Sequence, residues 1–189
     1  IDQVAEYAWP LITTYQLAWA LASLMGWYGA GPRAEVRYIL ELNGPGDAVF
    51  NELRSLKFKL ENTPLPTIKE EGLRDLFRNV KTYIFNRQDS LSPGHNYHFT
   101  TQTRLKLSLM ERFRDFASTG LTRIRSLELI EEMKTISREG DSIGAPGTKL
   151  DDRVMATALA VHCWEEKMRR ALISNRRTRE TEASRKNQS

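Results

Sequence analysis

The sequence predicts an α/β fold. Three observations carry that prediction. Residues 36–42 read as a strand that is apolar on both faces, a glycine-rich turn and an amphipathic helix follow it directly, and further helices carry a single apolar stripe each. Strand, tight turn and helix in succession is the local pattern from which sheets flanked by helices are built.

In chain order, residues 2–7 read as the end of a short strand. Residues 13–28 read as a helix, because Leu17, Ala20, Leu21, Leu24 and Met25 recur at helical spacing, and Gly29, Gly31 and Pro32 stop it. In the strand over 36–42, Val36, Tyr38, Leu40 and Leu42 fall on one face and Ile39 and Glu41 on the other, which suits a strand covered by helices on both sides. After the turn Asn43-Gly44-Pro45-Gly46, a helix over 47–56 carries the stripe Val49, Phe50, Leu53 and Leu56. A second short strand is expected near 64–68 and a helix over 70–80, with 81–86 extending it or turning into a strand. Residues 89–96 form a loop around Ser92-Pro93-Gly94.

Residues 100–117 form an amphipathic helix lined by Leu105, Leu109, Phe113 and Phe116, with Thr101 or Thr103 as its N-cap. Residues 121–125 are β-like. Ser126 caps a helix that runs to about Met133, with Leu127, Leu129, Ile130 and Met133 as candidates for burial. The polar, glycine-rich residues 135–147 are expected to form a hairpin. Residues 152–173 form an Ala-rich helix whose small side chains would let it lie close to a sheet. The chain thus divides into a domain over 1–173 and a basic tail over 174–189 that is expected to be disordered.

Composition sets limits. With 40% hydrophobic residues in 189, the chain can bury a core. Its longest apolar stretch, around 17–27, is interrupted by Ser23 and Gly26 and is too short and mixed to span a bilayer, so no membrane association is expected. No charged segment precedes an apolar block, which argues against a secretory signal. The single Cys163 forms no internal disulfide and suits a reducing, intracellular setting. The net charge is +4, but residues 169–189 hold seven Lys/Arg against two Glu, and the remainder 21 against 22. The basic excess therefore lies in the tail, and bulk charge does not reveal a nucleic-acid groove. There is no Walker-type glycine loop, so ATP binding by that route is excluded.

Two acidic positions stand out. Glu41 lies at the carboxyl end of the predicted strand, where open α/β sheets place their sites. A carboxylate there is either a metal ligand or a structural group, paired or hydrogen-bonded to the following turn. Asp151 and Asp152 open the last helix. One suffices as an N-cap, and the other is then free to face a site. Converging carboxylates suit Mg²⁺ or Mn²⁺, which prefer oxygen ligands, and two such ions promote phosphodiester cleavage without a nucleophilic side chain. His162 and Cys163 are helix neighbours and do not face each other; His95 and His98 lack further ligands for zinc.

Four segments in order resemble the nuclease domain of phage terminase large subunits. They are Tyr38-Ile39-Leu40-Glu41-Leu42-Asn43-Gly44-Pro45-Gly46, the Thr100-Thr101-Gln102-Thr103-Arg104 helix start, Ile124 to Met133, and Leu150-Asp151-Asp152-Arg153 with the Ala-rich helix that follows. The resemblance runs along roughly residues 2–172. It implies a ribonuclease H-like fold, a mixed sheet flanked by helices, here lacking its first strands. It implies a two-metal endonuclease that cuts concatemeric double-stranded DNA during genome packaging in the host cytoplasm. The full-length protein would partner a portal and a small terminase subunit. Glu41 would be the second carboxylate of the set and Asp151 or Asp152 the third, with Mg²⁺ or Mn²⁺ as cofactor.

The family's first catalytic Asp would lie upstream of Ile1. Asp2 is a poor substitute and Asp141 only a candidate extra ligand, so weak or absent cleavage is expected of this chain. Arg104, Lys106 and Arg153 are candidate phosphate contacts, Arg153 being also a candidate partner for Asp152 or Glu41. The basic tail is a candidate for loose DNA binding or for docking on another packaging component. Competing expectations are a non-catalytic remnant or interaction module of the same fold, and another ribonuclease H-like nuclease of resolvase or transposase type.

Overall fold

A computed structural model describes residues 1–62, 72–73, 75–82, 84–86, 95–97, 102–140, 142–147, 150–169 and 173. The chain forms two units, Tyr7–Gln102 and a second made of Ile1–Glu6 with Thr103–Ser189. Both helices and short strands occur, so the α/β class holds; every sheet among the described residues has two strands. No described helix is long and apolar enough to cross a membrane.

In the Tyr7–Gln102 unit, α1 spans Thr14–Gly29. Thr13 precedes it as a capping box: its hydroxyl accepts from the Gln16 amide at 3.2 Å, and the Gln16 side chain accepts from the Thr13 amide at 3.1 Å. Strand β1, Val36–Tyr38, pairs in parallel with β2, Val80–Thr82, in the register Val36↔Val80. Parallel strands need a crossover, and helix α2, Gly46–Asn62, lies in that connection. Ala18, Ala22 and Met25 of α1, Val49, Leu53, Leu56 and Leu60 of α2, and Phe77 form the core. The α2 stripe is the predicted one continued to Leu60, with Phe50 at its half-buried edge.

The helix expected over 70–80 is not what forms. Gly72 and Leu73 are helical, Asp75–Phe77 is a 3₁₀ turn, and Val80 is in β2. The cause is tertiary. The Asn79 side chain donates to the carbonyls of Gly29 (2.7 Å) and Gly31 (3.2 Å), and the Asn79 carbonyl accepts from Val36 at 2.9 Å. Those bonds tie the segment to the end of α1 and align it with β1. Further on, β3, Ile84–Asn86, pairs antiparallel with β4, His95–Tyr97, so the end of the predicted loop is a strand. The strand expected over 64–68 lies outside the described residues.

In the second unit, the expected strand end at 2–7 reduces to one parallel bridge, Asp2↔Arg123, fixed by Gln3, whose side-chain carbonyl accepts from the Arg125 and Ser126 amides. Helix α3, Thr103–Ser118, buries Leu109, Met110, Phe113 and Phe116, with Leu105 only half-buried. Helix α4, Leu127–Thr135, is capped by Ser126, whose hydroxyl accepts from the Leu129 amide at 3.0 Å. Leu129 is fully buried, whereas Leu127 in the first turn is 73% exposed, against expectation. The predicted hairpin forms from β5, Ser137–Glu139, and β6, Ser142–Gly144. Helix α5, Asp152–Cys163, passes into a π-helical turn over Trp164–Arg169. It packs on α3 and α4 rather than on a sheet as expected. Ala158 is inside, but Ala156 and Ala160 face solvent.

Candidate functional site

The start of α5 gathers side chains from four elements. Asp151 occupies the N-cap position, yet its side chain makes no capping hydrogen bond. The amide of Val154, the third residue of α5, donates instead to Glu132 Oε1 of α4 at 3.0 Å. One of the helix's orphan N–H groups is thus satisfied from a neighbouring helix. Glu132 is buried, its side chain 6% exposed. Its other oxygen accepts from Arg153 Nη1 at 3.2 Å, and Arg153 Nε donates to Glu6 at 2.8 Å.

Arg153 is therefore clamped between two carboxylates. Glu6 is the first cause holding its guanidinium above its ordinary pKa, and Glu132 the second. Burial pushes the Glu6 carboxyl up, but hydrogen bonds from Ser126 and Arg153 outweigh it and hold Glu6 below the ordinary carboxylate value.

The Asp151 carboxylate is turned elsewhere. Its Oδ2 accepts from Lys106 Nζ of α3 at 2.6 Å, and both side chains are about three-quarters buried, with 21% and 26% exposed. Gly144 of β6 makes room. A Cβ there would lie 2.8 Å from Asp151 Oδ2 and 3.2 Å from Lys106 Nζ, so the carboxylate would have to shift and the ammonium to give slightly. Asp152 is exposed in the first turn of α5, where a negative charge suits the helix dipole.

Several expectations change accordingly. Neither aspartate caps α5 through its side chain, because Glu132 does that work. Arg153 pairs with Glu6 and Glu132 rather than with Asp152. Lys106 is committed to Asp151. Arg104 alone of the three candidate phosphate contacts is exposed. Glu132 and Glu6 were missed in the sequence. A signal for Glu132 was there: it falls three residues after Leu129, on the apolar stripe of α4, where a carboxylate needs a partner.

Glu41 belongs to the other unit. It lies beyond the end of β1 as a single bridge residue, half-buried, and Asn43 Nδ2 approaches its Oε1 at 3.4 Å. The turn that follows folds tightly back. Gly44 is left-handed at φ +59°, and a Cβ on Gly46 would overlap the Glu41 carbonyl oxygen. The alternative of a hydrogen bond to the following turn is thus present, though long. Glu41 lies in the first unit and Asp151 and Asp152 in the second. Among the described residues no three His, Cys, Asp or Glu side chains form a metal-binding group. Asp141, His98 and residues 174–189 lie outside the described residues.

A second polar cluster sits at the far end of α5. Arg112 of α3 approaches His162 Nδ1 at 3.2 Å and pairs with Glu165 at 3.1 Å. Arg112, Glu165, Glu166, Arg169 and Ile173 line a cavity of about 300 Å³. Burial pushes the His162 imidazole below its ordinary pKa, against the opposing pull of Glu166. Compared with protein-family models, with curated proteins and with solved structures, the chain matches none of them.

Proposed function

We propose that this chain is the metal-dependent endonuclease part of a terminase-type DNA-packaging protein, with a ribonuclease H-like fold and double-stranded DNA as substrate. The observation that carries it is Asp151. A carboxylate at a helix N-cap position ordinarily caps; here the cap comes from Glu132 and the Asp151 carboxylate faces a cation, Lys106 Nζ, at 2.6 Å. Glu41 on its glycine-built turn, and the parallel β1–β2 pair with α2 in its crossover, agree with the same fold type.

Carboxylate oxygens suit a hard divalent ion, and at Asp151 the Lys106 ammonium stands where a cation would. Carboxylates such as Asp151 would hold Mg²⁺ or Mn²⁺, which supplies Lewis-acid activation when bound. Arg104 is the exposed cation left to steer phosphate. One observation favours a second reading, a non-catalytic module of the same fold: Lys106 and Arg153 neutralise the acids at the start of α5.

Mn²⁺ titration followed by electron paramagnetic resonance, together with nicking of plasmid DNA in Mn²⁺, separates these. Glu41→Ala and Asp151→Asn are each expected to weaken Mn²⁺ binding by about 10-fold or more, and to remove any nicking the chain shows, because each removes a ligand. Asp152→Asn is expected to leave both unchanged. Wild-type Mn²⁺ affinity in the Glu41 and Asp151 variants would overturn the metal centre and leave the non-catalytic module.

A further inference from the structure

We infer that Glu132 is a positioning residue for Asp151: by capping α5 from outside the helix, it keeps the Asp151 carboxylate turned toward Lys106 and away from the helix's own amides. The role in metal binding rests on the nuclease reading above; the geometry does not.

The observations converge on one point. Asp151 sits where a side-chain oxygen ordinarily accepts from the second or third amide of the helix. The third amide, that of Val154, is already occupied by Glu132 Oε1 at 3.0 Å. A carboxylate with 6% of its side chain exposed is costly to bury, and it is retained here with both oxygens bonded, one to Val154 N–H and one to Arg153. Arg153 is itself anchored by Glu6, so the clamp cannot swing as a unit. Meanwhile the space beside Asp151 is kept open by Gly144, and Lys106 fills it. Without Glu132, the Val154 amide would be an orphan donor next to the Asp151 carboxylate, and the shortest repair is rotation of Asp151 into the ordinary cap. Partners of metal-binding carboxylates act in this way, fixing the orientation of the ligand without touching the ion.

Two conservative variants of the full chain separate capping from charge. Glu132→Gln keeps an acceptor within reach of Val154 N–H and loses the charge facing Arg153. Glu132→Asp keeps the charge and, one methylene shorter, loses the reach. The readouts are the ¹³Cγ chemical shift of Asp151, which reports its hydrogen-bond partners whether or not metal is present, and Mn²⁺ affinity by electron paramagnetic resonance. Glu132→Asp is expected to move the Asp151 signal and to weaken Mn²⁺ about 10-fold or more. Glu132→Gln is expected to leave the signal in place and Mn²⁺ affinity within a few-fold of wild type. An unmoved Asp151 signal in Glu132→Asp, or a shift confined to Glu132→Gln, overturns the positioning role. Should the wild-type chain bind no Mn²⁺, the nuclease reading fails, and the positioning role is still decided by the Asp151 signal.

Discussion

The two units bury different chemistry. In the Tyr7–Gln102 unit the core is apolar throughout, with Leu53 and Ala22 among its least accessible side chains. The buried polar and charged side chains among the described residues, Thr122, Glu132 and His162, all belong to the second unit. Apolar burial is non-directional and supplies most of the driving force for folding. A buried carboxylate or imidazole contributes less net stability, because desolvation offsets its bonds, but those bonds fix direction. The contrast teaches where placement matters in this protein: at the two ends of α5, not in the packing of α1 on α2. The two candidate carboxylates follow it. Glu41 is placed by backbone, through a left-handed glycine and a turn that only Gly46 can close. Asp151 is placed by side chains, through Lys106 and a helix end held by Glu132.

The contrast can be broken most forcefully at Leu53. Leu53→Ala is expected to cost about 2–5 kcal/mol, the range for a well-packed buried leucine, read by denaturant unfolding. A loss below about 1 kcal/mol would mean that the apolar core of the first unit is loosely packed and the difference between the units is overstated.

Next in size is Gly46→Ala. The added methyl must displace the Glu41 carbonyl, so a destabilisation of about 1–3 kcal/mol is expected, with shifted amide resonances from Glu41 through the start of α2. An unperturbed Glu41 in that variant would show that backbone does not place it.

The smallest effect is the pH dependence at the far end of α5. The folded His162 titrates below its ordinary value of about 6.5, because burial disfavours the imidazolium. Below that value the unfolded chain takes up a proton that the folded chain refuses, so the stabilisation is present above it and lost as pH falls toward the folded pKa. The charges of Glu166 and Glu165 pull against that shift, and those of Arg112 and Lys167 add to it. His162→Gln is expected to flatten stability against pH as pH falls below about 6.5, measured by thermal unfolding. Glu6, whose folded pKa is depressed, contributes stability that is lost only at lower pH, as the medium falls through its ordinary value toward the folded one. An unchanged slope in the His162 variant would show that the imidazole is not buried as a neutral ring.

Much of the second unit was legible from one dimension. The Ser126 cap, the hairpin over Ser137–Gly144 and the stripe through Leu109, Phe113 and Phe116 depend on neighbours in sequence. So do the Thr13 start of α1 and the α2 stripe. The segment around Asn79 was not, because its bonds to Gly29, Gly31 and Val36 span more than 40 residues. At the candidate site, Asp151 and Glu41 were marked by residue type and position. Their partners were hidden, since Lys106 reaches Asp151 from another helix and Glu132 meets Val154 across 22 residues. An adjacent Asp pair suggested that one member caps; the cap came from Glu132 on another helix.

By itself the sequence determined most of the helices, the Ser126 cap, the glycine turn after Glu41 and the types of acid available, because these follow from periodicity and from the backbone demands of single residues. Only the tertiary structure decided that Arg153 is clamped, that Lys106 is taken and that Asp151 is left turned from its own helix. The reason is physical: a hydrogen bond or ion pair is a relation between atoms close in space, and burial makes that relation compulsory without writing the partner's position into the chain nearby.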